Sequence, residues 1–528
     1  MILLLYKDFI VIESDVKIWY ISRTQIYWFF ECVSAIFTTG YPPITYKKGS
    51  WKVYFPRNYH FRLGKDGCGL ENFKVAKLSV PNWWFRKKDM KFFNRNIEIS
   101  RLNEIIENSK INANFSVLTG RRRIGKTQLL LHVTKDKPSL YFFVTRKAEP
   151  FLCQDFLEEI INKFNIPVLG NITSFGKLFQ YLMQLSCEKH FTLIIDEFQE
   201  FLNINSSVYG EMQHYWDLNK DQSKINLIVC GSVFSLMHKI FKDYKAPLFG
   251  RATAFLQIRP FKVSVLKEIL NETYPDFEPD DLLALYAFTG GIAKYVQLLV
   301  DNNALEFNNM LDYIVCEDSP FITDGKNILI DEFGKDYTIY FTILSAIACG
   351  DNSRARIENC VGKEVSGYLT RLEHDYGLIS KITPMFSKSE SKNVRYIIDD
   401  NFFTFWFRFI YKYSHIIEIS QYKELKKIIE RDYSTFSCKI LERYFREKYI
   451  ENGNLTQIGG YWDRSGENEI DLIAINELDK TAHIVEVKRN EKNIRQNILK
   501  DKAANMINNT NCLNNYKIEY LGLSMNDM

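Results

Sequence analysis

The 528-residue sequence predicts a multidomain α/β protein built around a parallel sheet flanked by helices. Three observations carry that prediction. The length calls for about three to five domains at roughly 100 to 200 residues each. From Asn112 to about Pro260, short apolar runs alternate with amphipathic stretches, the pattern of strands joined by crossover helices. Within that region, Gly120-Arg121-Arg122-Arg123-Ile124-Gly125-Lys126-Thr127 falls between an apolar run and a helical stretch.

Composition narrows the function classes. With 46% hydrophobic and 25% charged residues, the chain is neither disordered nor fibrous as a whole. The 68 Lys+Arg nearly balance 64 Asp+Glu, for a net +4. A chain whose entire surface wraps nucleic acid is therefore not expected, although one basic face is allowed. Ten cysteines without a C-x-x-C pair encode neither a zinc ribbon nor a disulfide framework, which fits a reducing cytoplasm. Met1 to Ile12 lack a basic lead and a cleavage site, and no stretch reaches about 18 uncharged apolar residues. Neither secretion nor membrane spanning is expected.

Residues 1–89 are rich in aromatics, such as Trp19, Trp28, Trp51, Trp83 and Trp84, but show no sustained helical or alternating period. They read as an extension of unknown fold, or as translated sequence upstream of a start at Met90; a small aromatic-cored domain is the rival reading. Residues 90–260 form the sheet region. Ile99, Leu102, Ile105 and Ile106 open it at helical spacing, and strands are predicted at Phe115–Leu118, Leu140–Val144, Phe191–Ile195, Asn226–Cys230 and Thr253–Ile258. Residues 261–330 read as a helical lid, broken at Thr289-Gly290-Gly291. Residues 331–400 read as helices at Tyr337–Ile347, Arg354–Cys360 and Lys363–Glu373 followed by a hairpin, which suggests a winged helix. Residues 401–528 end in a further α/β segment.

The glycine-rich motif satisfies G-x-x-x-x-G-K-[ST], a P-loop. Its backbone N–H groups can close around phosphate, Lys126 can neutralise the β and γ oxygens, and the Thr127 hydroxyl can ligate Mg²⁺. ATP and Mg²⁺ are thus the expected ligands, with Gly120 to Thr127 as the cradle. Some distance on, Leu193-Ile-Ile-Asp196-Glu197 ends an apolar strand in two acids. Asp196 is positioned to hold Mg²⁺ and Glu197 to polarise a water, a Walker B arrangement. Ser232 follows the strand expected between these two and can sense the γ-phosphate; a simple turn explains Gly231-Ser232 nearly as well. Arg251, in Pro247-Leu-Phe-Gly-Arg251, offers a guanidinium for transition-state charge, or a solvated surface charge.

Taken together, Phe93-Asn94-Arg95 with Glu98, the P-loop, Ile194-Ile-Asp-Glu-Phe-Gln199, Gly231-Ser232, Pro247–Arg251, Arg259-Pro260-Phe261 and Thr289-Gly-Gly-Ile292 resemble the archaeal-type prokaryotic ATPases of the AAA+/STAND class. The resemblance runs from about Met90 to the C-terminus. It implies ATP binding, a five-stranded sheet with a helical lid, a winged helix, and a C-terminal domain related to restriction-endonuclease-like folds.

In that last segment, Glu469-Ile-Asp471 is followed by His483-Ile-Val-Glu486-Val-Lys488. A period of two puts Glu486 and Lys488 on one strand face, and hairpin pairing can bring Asp471 alongside. This is the D…E-x-K arrangement of PD-(D/E)xK nucleases: Asp471 and Glu486 would hold a divalent metal while Lys488 positions or deprotonates the attacking water. Glu442 matches the helix acid of that fold. A charged hairpin with cross-strand Glu/Lys pairs is the simpler alternative. For the winged helix, Lys363, Tyr368 and Arg371 are candidate groove contacts, with Lys388 and Lys392 reaching phosphate, unless the unit binds only protein. The expected function is a Mg²⁺-dependent ATPase coupled to DNA binding and metal-dependent DNA cleavage. The alternative is a nucleotide-switched signalling or scaffold protein with an inactive nuclease-like domain. No membrane partner is expected, and the sequence leaves open a homo-oligomer or a protein partner.

Overall fold

The computed structural model describes residues 93–166, 172–388, 391 and 393–528, together with the backbone of short strands between residues 2 and 60. The chain divides into two units, residues 1–89 and 90–528.

In the first unit, β1 (Ile2–Tyr6), β2 (Phe9–Ser14) and β3 (Lys17–Ser22) form an antiparallel sheet, with Ile2 opposite Glu13 and Phe9 opposite Ser22. Two further antiparallel pairs join β4 (Thr45–Lys47) to β5 (Ser50–Lys52) and β6 (Tyr54–Phe55) to β7 (Tyr59–His60). Strands stand where the sequence showed no alternation. Ile2-Leu-Leu-Leu and Ile10-Val-Ile are continuous apolar runs, which have no period-two signal to read.

The second unit opens with α1 (Asn96–Ser109), which buries Leu102, Ile105 and Ile106. Then come β8 (Asn114–Thr119), α2 (Lys126–Thr134), β9 (Ser139–Phe143), α3 (Glu149–Phe164), α4 (Phe175–Glu188) and β10 (Phe191–Asp196). α5 (Ser207–Asn219), β11 (Ile225–Gly231), α6 (Phe234–Phe241) and β12 (Ala254–Gln257) complete the layer. All five strands are parallel, in the order β12-β8-β11-β10-β9. The central strands β10 and β11 are buried along their whole length, as a sheet covered on both faces requires. Parallel strands end together, so the loops after β8, β10 and β11 meet at one edge.

Five helices follow: α7 (Val263–Thr273), α8 (Pro279–Thr289), α9 (Ala293–Asp301), α10 (Phe307–Ile314) and α11 (Pro320–Phe333). Every residue of α8 from Asp281 to Thr289 is buried. It is apolar all round because it is packed all round: Phe288 lies 4.7 Å from Phe405 and Tyr286 lies 6.0 Å from Tyr444, ring to ring. One apolar core therefore runs across the boundaries drawn near residues 260, 330 and 400.

Next are α12 (Tyr337–Ala348), α13 (Arg354–Val361), α14 (Ser366–His374) and an antiparallel hairpin of β13 (Ile379–Ile382) and β14 (Arg395–Ile398). α14 starts three residues later than Lys363, because Gly362 ends α13 in the left-handed region and Lys363-Glu364 lie in the turn. α15 (Asn401–Phe405) runs into a π-helical turn at Trp406–Tyr411, and the long α16 (Tyr422–Asn452) follows. The last sheet has the order β15 (Gln457–Tyr461), β16 (Ile470–Asn476), β17 (Thr481–Val487), β18 (Lys517–Leu523), with α17 (Gln496–Thr510) crossing between the parallel pair β17 and β18. Among the described residues no helix is long and apolar enough to cross a membrane.

Candidate functional site

The P-loop lies between β8 and α2. Gly125 caps α2 at φ +97°, a left-handed conformation that suits glycine and leaves the first N–H groups of the helix unpartnered by any side-chain cap. Lys126 is buried, and its Nζ donates to Gly120 O at 2.7 Å and Arg121 O at 3.2 Å. Burial pulls its pKa down, while Glu197, Cys230 and Asp196 pull the other way. Thr127 Oγ1 donates to Asp196 Oδ2 at 2.8 Å. The strand order puts β11 between β8 and β10, so Ser232 arrives beside Glu197: its Oγ donates to Oε2 at 2.9 Å. Gln199 Nε2 donates to the same oxygen at 2.5 Å. Gly231 makes room for that glutamine, since a Cβ there would come 2.4 Å from Gln199 Oε1. Lys126, Thr127, Asp196, Glu197 and Ser232 are therefore brought together.

Asp196 has two further partners that the sequence did not point to. Tyr141 Oη donates to Oδ2 at 2.6 Å and Cys230 Sγ to Oδ1 at 3.0 Å. Burial pushes both the phenol and the thiol well above their ordinary values, so both remain protonated donors. A lone hydroxyl inside the apolar run Leu140-Tyr-Phe-Phe was the available signal for Tyr141. Hard oxygen donors from Thr127 and Asp196 suit Mg²⁺.

The three P-loop arginines point away from the phosphate cradle toward carboxylates. Arg121 pairs with Asp400 at 2.5 Å, Arg122 with Asp331 at 2.9 Å, and Arg123, at φ +71°, with Asp324 at 2.7 Å. Ile124 is buried, and its carbonyl accepts from Arg95, which also bonds Glu98 and Arg259 O and lies over the Phe261 ring. Phe261 N in turn donates to Gly291 O at 2.7 Å, so several residues of the family pattern form one brace behind the loop.

Arg251 is not brought to this site. It precedes β12, where Thr253 N donates to Phe115 O at the start of β8, and its side chain pairs with Asp217 at 3.1 Å. Five residue steps along β8 separate Phe115 from Gly120, about 17 Å at roughly 3.3 Å per residue. Within one chain the guanidinium cannot reach the phosphate cradle.

In the C-terminal sheet, the register of β16 and β17, with Leu472 opposite Val485, puts Asp471 beside Glu486. Lys488 Nζ sits between them, 3.2 Å from Asp471 Oδ2 and 3.4 Å from Glu486 Oε1. Burial lowers its pKa, but the two carboxylates outweigh burial and the net shift is upward. A lysine so held can orient a water but is poorly suited to deprotonate one. Glu442, on α16, is held by Lys439 at 3.0 Å, and Lys439 also reaches Glu469 at 3.5 Å. Burial pushes the Glu442 carboxyl up to about 7 against the pull of Lys439, and Asp471 adds to the rise. The expected three-acid metal set is not formed: among the described residues no three His, Cys, Asp or Glu side chains are placed to hold one ion. Lys488 pairs with Asp471 and Glu486, and Lys439 with Glu442. Of the hairpin residues, Lys388 is described and Lys392 lies outside the described residues. Lys363 lies over the Tyr368 ring at 4.9 Å, and Tyr368 packs against Tyr340.

A parallel sheet with this strand order, a P-loop and an acid-tipped central strand together define a P-loop ATPase domain. Residues 92–299 match the model of an ATPase domain found predominantly in Archaea, and residues 406–505 match that of archaeal and bacterial proteins of unknown function. An uncharacterized protein of Methanocaldococcus jannaschii is 31% identical over 409 residues, which cover 75% of this chain and 87% of that protein. The chain belongs to this archaeal ATPase family. Among solved structures, the Walker-type ATPase of Pyrococcus abyssi aligns with a TM-score of 0.47 at 21% identity, covering 60% of this chain and 96% of that one. The ORC2 protein of Aeropyrum pernix aligns at 0.41 and 14%, covering 62% and 94%.

Proposed function

We propose that this protein hydrolyses ATP with Mg²⁺ at the P-loop and uses the cycle to act on DNA. The observation that carries the hydrolytic reading is Glu197, held by Ser232 and Gln199 on one carboxylate oxygen, next to the Thr127–Asp196 pair. Lys126 moves from the Gly120 and Arg121 carbonyls to the β and γ oxygens, and Glu197 orients the attacking water. Mg²⁺, held by Thr127 and Asp196, would neutralise charge on the phosphates. Arg251 contributes only if a second copy presents it to this site. Residues 331–400 are read as a winged helix, with Lys363, Tyr368, Arg371 and Lys388 toward nucleic acid. Residues 401–528 are read as nuclease-like, with Asp471 and Glu486 as the paired strand acids, Glu442 as the helix acid and Lys488 as the water-orienting group.

A second reading of that last domain is a nucleotide-switched scaffold in which it binds without cutting. The lysines lodged against all three acids favour it. The deciding experiment is the Mg²⁺-dependent ATPase rate with and without DNA, followed by plasmid nicking. Lys126→Ala is expected to abolish nucleotide turnover; unchanged affinity and turnover would end the ATPase-site assignment. Plasmid left intact by wild type under Mg²⁺ and Mn²⁺, with turnover still DNA-stimulated, would favour the scaffold.

A further inference from the structure

Residues 399–401, where β14 passes into α15, are gripped from both sides. Asp400 caps α15, its Oδ1 accepting from Phe402 N at 2.8 Å, while its Oδ2 accepts from Arg121 Nη1 of the P-loop at 2.5 Å. Arg121 Nη2 donates to Gly377 O at 3.0 Å, and the guanidinium lies 5.3 Å from the Phe403 ring centre. Asp400 is seated against Gly290, where a Cβ would come 2.6 Å from Oδ1. From the opposite side, Arg443 of α16 donates through Nη1 to Asn401 Oδ1 at 2.6 Å and Asp399 O at 3.1 Å, and through Nη2 to Ile398 O at 2.7 Å. Arg443 directly follows Glu442 in the chain. A continuous set of charge-assisted bonds thus runs from the phosphate cradle to the helix that carries the C-terminal acid.

The link has a reason to respond to nucleotide. Lys126 Nζ bonds the Arg121 carbonyl, and a phosphate that takes this ammonium releases the loop backbone at Arg121. Only 3% of the Asp400 side chain is exposed, so losing Arg121 would leave a buried carboxylate unpaired.

We propose that Arg121, residues 399–401 and Arg443 act as a mechanical link through which occupancy of the P-loop sets the placement of α16 around Glu442, with both arginines as positioning residues. The proposal rests on the nucleotide-binding reading above. It is tested by hydrogen–deuterium exchange on the full chain, with and without adenylyl imidodiphosphate and Mg²⁺, alongside a separate titration of nucleotide affinity. In wild type, nucleotide is expected to change exchange in residues 398–405 and, by about fivefold or more, in residues 438–446. Arg443→Gln is expected to keep nucleotide affinity and the response in 398–405 but to lose the response in 438–446. Asn401→Ala, which removes one of the three acceptors, is expected to weaken that response and serves alone if Arg443→Gln does not fold. A merely structural Arg443 would alter exchange of α16 equally with and without nucleotide, which would overturn the link. So would undiminished transmission in Arg443→Gln and Asn401→Ala, or a wild-type response confined to 398–405. Wild type that binds no nucleotide in the titration would fail the underlying reading first, and the link with it.

Discussion

Tyr141 and Asp196 are joined across neighbouring parallel strands by a 2.6 Å hydrogen bond from the phenol to Oδ2, the oxygen that also accepts from Thr127. The register that pairs Ile194 with Tyr141 sets the tyrosine two residues short of the strand end, within reach of the carboxylate. Tyr141→Phe removes one donor and leaves the ring. Unfolding free energy in denaturant is expected to fall by about 1 kcal/mol. The Mg²⁺ concentration for half-maximal turnover is expected to fall, since one competitor for the oxygen is gone. An unaltered unfolding curve would mean that the phenol contributes no bond there.

In the proposed mechanism, Glu197 and Ser232 separate binding from hydrolysis. Glu197→Gln keeps the shape and the contact with Ser232 but loses the base, so fluorescent-nucleotide affinity is expected to hold while turnover drops about 10²- to 10⁴-fold. Ser232→Ala frees one side of the carboxylate and is expected to lower turnover by about tenfold, because hydrogen bonds to charged groups are worth roughly 1.5–3 kcal/mol. Equal loss of affinity in both variants would place these residues in ground-state binding instead.

Glu442 makes stability depend on pH in a defined direction. Burial pushes its folded carboxyl up to about 7, above the ordinary 4.5, so the native state holds more protons than the unfolded chain between those values. This contribution therefore weakens the fold as pH rises from about 4.5 to about 7, and the destabilisation is complete above that window. Glu442→Gln is expected to stabilise the protein at pH 8, by on the order of 2 kcal/mol, and to leave it nearly unchanged at pH 4.5. Lys439 keeps Glu469 as a partner in that variant. Melting curves at the two pH values check this; equal shifts at both would show that Glu442 titrates normally.

Gly325 on α11 lies under the Trp406 indole, where a Cβ would come 2.5 Å from ring atoms, and Trp406 Nε1 donates to Ile322 O at 3.0 Å. Gly325→Ala forces α11 away from the π-helical turn and strains that bond. A loss of about 1–3 kcal/mol is expected from overpacking, read as a lower melting temperature. A melting temperature at or above wild type would show that the indole moves aside freely.

The nucleotide site was legible because its chemistry is local. Gly120 to Thr127 are consecutive, Asp196 and Glu197 end one apolar run, and parallel strands must end at a common edge, so these groups meet whatever surrounds them. The same locality made Asp471, Glu486 and Lys488 readable, since a hairpin register brings them together. What tertiary structure decided was every partner supplied from far along the chain. Arg121 finds Asp400, Arg123 finds Asp324, and Arg443 finds Asn401 only after the helices beyond residue 260 fold back over the loop. No spacing rule encodes such pairs. It likewise took the assembled sheet to show that Arg251 lies at the wrong end for its own P-loop and that Lys488 and Lys439 sit against the acids. Sequence periodicity reports which face of an element is apolar; which charges meet is set by how those faces pack, and packing of the nearly all-apolar α8 leaves no periodic trace to read.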